Sequence, residues 1–125
     1  MAAKWQLRDQ VREIYEKIEQ KSHEITEDWT RHKIIKPYDE NKEISRRYSI
    51  QDINGVRNAD VFVLLTNEDG IGMYLELGVA MMSYIQNRKP KIYVVGNRLG
   101  RSMHFFHPSV KRMNTIDDVF EDLGI

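Results

Sequence analysis

Residues 59–95 read ADVFVLLTNEDGIGMYLELGVAMMSYIQNRKPKIYVV, and this stretch decides the fold class. Val61–Leu65 is apolar at consecutive positions, as expected of a strand covered on both faces. The polar, glycine-containing run 67–72 predicts a turn. Residues 73–86 follow as a helix, with Leu77, Val79, Ala80, Met81 and Ile85 available to pack. Residues 87–90 close it, and Lys91–Val95 is a second buried strand. Strand, helix and buried strand in that order make a parallel βαβ unit.

Working outward, residues 98–108 predict a long loop or a short irregular helix, and 110–113 a short last strand. Thr115 caps a final helix, with Asp118 three residues on in the spacing of a capping box. Upstream, a helix is expected over 44–57, with Ile44, Tyr48, Ile53 and Val56 inward. Gly55 weakens that helix by about 1 kcal/mol against alanine. Pro37 and the polar cluster 39–41 make 31–43 a loop. The alternation in HEITEDWT, 23–30, predicts a polar, half-buried or edge strand. Trp5, Leu7, Val11, Ile14, Tyr15 and Ile18 recur at helical spacing and predict a first helix, ended at Lys21-Ser22. Only residues 1–4 precede it. The expectation is a flavodoxin-like or Rossmann-like three-layer α/β sandwich, mostly parallel, with its first strand short or missing, in one domain over 1–125.

The 125 residues carry 19 basic and 19 acidic side chains, so the formal net charge is zero. That balance argues against a nucleic-acid polymer or a membrane surface as partner. Cysteine is absent, which removes disulfides, thiolate metal sites and a cysteine nucleophile. No apolar run approaches the roughly 20 residues of a bilayer span. A cytoplasmic protein is expected.

Sites in such sheets lie beyond the carboxyl ends of the strands, here residues 66–72, 96–100 and 27–30. Glu76 stands near the start of a helix that follows a buried strand and a Gly-x-Gly turn. Tyr74, Leu75 and Leu77 partly shield it. It reads either as a nucleophile or general base, or as a charge favouring the positive end of the helix. Gly70 and Gly72 let a backbone approach a ligand, or simply make a turn. Asp52 points across the sheet, or out to solvent. Asp28 and Trp29 end the polar strand at the site face, where an indole can stack on a base or sugar or pack at the rim. His104 and His107 invite a metal reading, but no third ligand is evident, and no metal is expected. Arg98, Arg101 and Ser102 read as phosphate contacts or as solvated loop residues. Tyr15, Tyr84, Phe105 and Phe106 read as interface or core.

Together, ADVFVLLTNEDGIGMYLELGVAMM and the following KPKIYVVG resemble the nucleoside 2-deoxyribosyltransferase superfamily. That superfamily includes the 2′-deoxynucleoside 5′-phosphate N-hydrolases. The resemblance takes in Ile50-Gln51-Asp52 and HEIT at 23–26, and spans about residues 2–97. It implies that Glu76, in Glu-Leu-Gly, attacks the anomeric carbon of a deoxyribosyl group, in the manner of a retaining glycosidase. Water or a second base then resolves the glycosyl-enzyme. Asp52 matches the supporting carboxylate, and Gly70, Gly72 and Met73 would lie near the sugar or its 5′ substituent. The implied partner is a nucleoside or nucleotide, the chain a homodimer or higher homo-oligomer, and no cofactor is required. Two departures stand out. The tyrosine of the family's first strand would fall before Met1. Gly70 stands where the hydrolases tend to place a small hydroxyl residue, so a phosphate preference is unsupported there. The alternative is a nucleoside- or nucleotide-binding module of the same fold, without turnover.

Overall fold

The computed structural model describes residues 1–67 and 69–125. The predicted turn over 67–72 includes Glu68, which lies outside the described residues. The helices are α1 (Arg8–Gln20), α2 (Lys42–Arg57), α3 (Gly72–Asn87) and α4 (Ile116–Leu123). The strands are β1 (Val61–Leu65), β2 (Lys91–Val95) and β3 (Val110–Met113). All three run parallel in the order β1-β2-β3, with Leu64 opposite Val94 and Val94 opposite Arg112.

The buried strands divide their side chains between two cores. Phe62, Leu64, Ile92 and Val94 meet Val56 of α2, Met73, Leu77 and Ala80 of α3, and Phe105. Val63, Leu65, Tyr93 and Val95 face the other way, onto Val11, Ile14 and Tyr15 of α1 and Val119 and Phe120 of α4. The chain is therefore a three-layer α/β sandwich of Rossmann-like or flavodoxin-like form. Burying each large apolar side chain contributes roughly 1.5–3 kcal/mol, so both faces are needed. Tyr15 and Phe105 belong to these cores, whereas Phe106 is exposed under the Arg112 guanidinium. Among the described residues, no helix is long and apolar enough to cross a membrane.

Local chemistry explains the ends. Thr115 Oγ1 accepts from the Asp118 amide at 3.2 Å, and Asp118 Oδ2 accepts from the Thr115 amide at 3.0 Å. The expected capping box is present and starts α4. Residues 103–106 of the expected loop form a single 3-10 turn.

The first strand shrinks to one residue. Ala2 pairs in parallel with Leu64, on the side of β1 away from β2. Its N–H donates to the Val63 carbonyl at 2.7 Å, and its carbonyl accepts from the Leu65 N–H at 2.9 Å.

The expected strand over 23–30 does not form. These residues run as irregular chain into a 3-10 turn, Trp29–Arg31. A strand needs a ladder, and the neighbouring slot offers only the length of Ala2. Side chains tie the segment down instead. The Trp29 indole N–H donates to the Met1 carbonyl at 2.7 Å, and the Thr26 hydroxyl donates to the Gly55 carbonyl at 2.8 Å.

Candidate functional site

Gly55 turns inward on α2, and the segment carrying Glu27 lies directly on it. A Cβ at Gly55 would stand 2.5 Å from Glu27 Cβ. The glycine that weakens the helix on propensity alone is thus what admits this close approach. One turn back along α2, Asp52 emerges on the same side. Glu76 comes from the second turn of α3. Glu27, Asp52 and Glu76 line one small cavity with Met1, Trp29 and the start of β1. The cavity, about 20 Å³, has room for about one water molecule.

Shielding sets the charges here. Burial, and then the negative charge of Asp52, push the Glu76 carboxyl up to about 7. Burial also pushes Asp52 up to about 6; the nearby His32 opposes this and Glu27 adds to it. Asp52 Oδ1 is buried without a hydrogen-bond partner. Burial, followed by the charges of Asp28, Glu76, Asp52 and Glu27, raises the Tyr15 phenol well above its ordinary value. Its hydroxyl reaches the Glu27 carbonyl at 3.5 Å.

His32 closes the arrangement. Its Nε2 lies 2.9 Å from Glu27 Oε1 and 3.8 Å from Asp52 Oδ1. Its ring stacks on Tyr48, with centroids 3.8 Å apart and planes 6° from parallel.

The structure brings Glu76, Asp52 and Trp29 together. Asp28 is spent locally. Its Oδ1 accepts from the Thr30 amide at 3.1 Å and from the Thr30 hydroxyl, and its Oδ2 accepts from Arg31 Nε at 2.9 Å. Burial alone would raise Asp28, but these bonds outweigh it and hold the carboxyl below its ordinary range. Gly70 and Gly72 lie exposed and do not line the cavity, and Met73 is packed into the core. His107 Nδ1 is bonded to Ser109 and His104 to Ser102, away from any third ligand among the described residues.

From sequence, His32 was not singled out, Glu27 was marked only as the start of the site-facing segment 27–30, and Tyr15 was named only as interface or core. Glu27 sat in a segment read as a strand, His32 in one read as a loop, and Tyr15 in the apolar stripe of α1. The usable signal was Gly55, a glycine on a helix face that marks a close approach.

A larger concavity, about 320 Å³, runs along α2 between Glu43, Arg47 and Gln51. All of its lining comes from one helix, so no second element converges chemistry on it, and the cluster around Asp52 is the better candidate site.

The chain matches no family model, no curated protein and no solved structure. The functional reading therefore stands on the residues themselves. Two shielded carboxyls raised toward neutrality, beside an imidazole and a phenol, are a pattern suited to acid–base or nucleophilic chemistry.

Proposed function

We propose that the protein cleaves or transfers the N-glycosidic bond of a 2′-deoxynucleoside or its monophosphate. The observation that carries this reading is the shielded Glu76 carboxyl, held up at about 7 beside Asp52. A carboxylate stripped of water is a better nucleophile than a solvated one. In the reaction, Glu76 forms a bond to C1′ as the C1′–N bond breaks. The electron pair leaves with the base, which takes up a proton from solvent. Water hydrolyses the glycosyl ester, or a second base displaces Glu76 and regenerates the nucleoside. Glu76 attacks in its ionised form, and Asp52 supports the sugar. The chemistry as written needs no cofactor.

A nucleoside is far larger than the present cavity. Its entry requires Met1 and Ala2 to swing away from β1, breaking two backbone hydrogen bonds and the one from Trp29. Each bond contributes about 1 kcal/mol net, and the packing of the buried Ala2 adds to the cost of the displacement.

The reading includes a homodimer. Ile71, just before α3, and Leu75, Met82 and Ile85 on it are exposed, and Gly78 among them has open space where a side chain would be.

Deoxynucleosides and their monophosphates, incubated with the protein and separated by chromatography, test the proposal. Free base should appear with the native protein and not with Glu76→Gln. The alternative reading is a nucleoside- or nucleotide-binding module of the same fold, without turnover. Saturable binding that survives Glu76→Gln with no base ever released supports it.

A further inference from the structure

We propose that Glu27, His32 and Asp52 form a binding site for one divalent transition-metal ion of the zinc class. One ligand atom from each residue lies within 4.8 Å of the other two. Zinc holds imidazole nitrogen and carboxylate oxygen at about 2.0–2.2 Å. Ligand atoms on one such ion therefore stand about 3–3.6 Å apart, for tetrahedral or octahedral angles. The observed separations from His32 Nε2, 2.9 Å to Glu27 and 3.8 Å to Asp52, bracket that range. All three separations lie within 4.8 Å, so rotation of the two carboxylate side chains is what would bring the atoms onto a common centre.

Three further features favour an ion over a bare ion pair. Asp52 Oδ1 is buried with no hydrogen bond, a condition that costs free energy unless something satisfies it. An ion shared with Glu27 and His32 would do so. The His32 ring is held in plane by Tyr48, whose hydroxyl in turn accepts from the Lys33 amide at 3.1 Å. The ligand is thus oriented before any ion arrives. Glu27 is brought to Asp52 by the close approach over Gly55, so two separate elements converge on the same point.

The donor set selects the metal. Two carboxylates neutralise a divalent charge, and the imidazole favours zinc, iron, nickel or copper over the all-oxygen preferences of magnesium and calcium. The side chains of His32, Glu27 and Asp52 are 13%, 26% and 30% exposed, so an ion can enter and keep a position for water.

This inference does not depend on glycosidic chemistry and is tested by metal alone. The chain, stripped with a chelator, is titrated with Zn²⁺ by calorimetry and with Co²⁺ by visible absorption. One ion should bind per chain. His32→Ala and Glu27→Gln should each weaken it more than 10-fold and remove the cobalt bands, while the His104→Ala/His107→Ala double variant should leave both unchanged. Should the single variants misfold, the ring nitrogens of His32 in the unaltered protein give the same answer, because Zn²⁺ should shift its Nε2 resonance. The proposal is overturned by no saturable binding, by binding indifferent to His32 and Glu27, by binding lost with His104 and His107, or by an unmoved His32 resonance.

Discussion

Asp52 and Glu76 line one shielded cavity, and the negative charge of Asp52 helps to hold the Glu76 proton. The two stand at about 6 and about 7. Two carboxyls this close titrate as a pair, so a change at Asp52 is felt at Glu76.

Removing the Asp52 charge should lower Glu76. In Asp52→Asn, the Glu76 carboxyl, followed by carbon NMR in chelator-containing buffer, should titrate below about 7. It should stay above the ordinary glutamate range, because burial is the larger cause. An unchanged or higher midpoint would separate the two residues. Turnover, if the proposed chemistry holds, should fall on the order of 10²–10⁴-fold, the usual contribution of a positioned acid or base.

Glu76 should make the fold weaker as pH rises. Its folded value, about 7, exceeds its ordinary value of 4.5. The folded chain thus holds the proton more tightly than the unfolded one. Stability from this group is full below pH 4.5, declines between 4.5 and about 7, and is then constant. Glu76→Gln should match the native protein at pH 4 and exceed it above pH 7 by up to about 3 kcal/mol. Denaturant melts at the two pH values check this. A variant equally stable at pH 4 but weaker above pH 7 would contradict it.

Gly55→Ala sets helix propensity against packing. In an open helix the change would stabilise by about 1 kcal/mol. Here the new methyl meets Glu27 Cβ, next to the backbone and unable to swing aside. Overpacking costs typically 1–3 kcal/mol, so the net effect should be destabilising. A gain in stability by chemical denaturation would mean that residues 23–28 do not lie on α2.

The strong elements were legible because their signals are local. VFVLL and KIYVV are apolar at consecutive positions, and the Thr115-to-Asp118 box needs only four residues. The segment over 23–30 failed for the opposite reason. Whether an extended stretch becomes a strand depends on its neighbour, and here the neighbour is the single residue Ala2. Glu76 and Asp52 could be picked out, since each stands at a definable place on a helix beside the sheet. Glu27 and His32 could not, because irregular chain has no periodicity from which to read a direction. Gly70, Gly72 and Met73 were placed near the ligand by resemblance, and none of them lines the cavity.

Trp29→Phe should loosen the plug over the site. It keeps most of the ring packing against Trp5 but removes the bond to the Met1 carbonyl. The loss should be about 1 kcal/mol of local stability. Hydrogen exchange at the Ala2 and Leu65 amides should quicken about 5-fold, with the β2 amides unaffected. Unchanged exchange at Ala2 would show that Trp29 does not hold the first residues in place.

The central claim is that Glu76 attacks an anomeric carbon, and trapping the resulting ester tests it most directly. The protein is incubated with a 2′-deoxynucleoside bearing fluorine on the sugar, which slows release of the glycosyl group, and the intact mass is measured. The account predicts a gain equal to one fluorinated deoxyribosyl group, mapped to Glu76 by peptide sequencing and absent from Glu76→Gln. Base released with no adduct at Glu76, or released undiminished by Glu76→Gln, would contradict it.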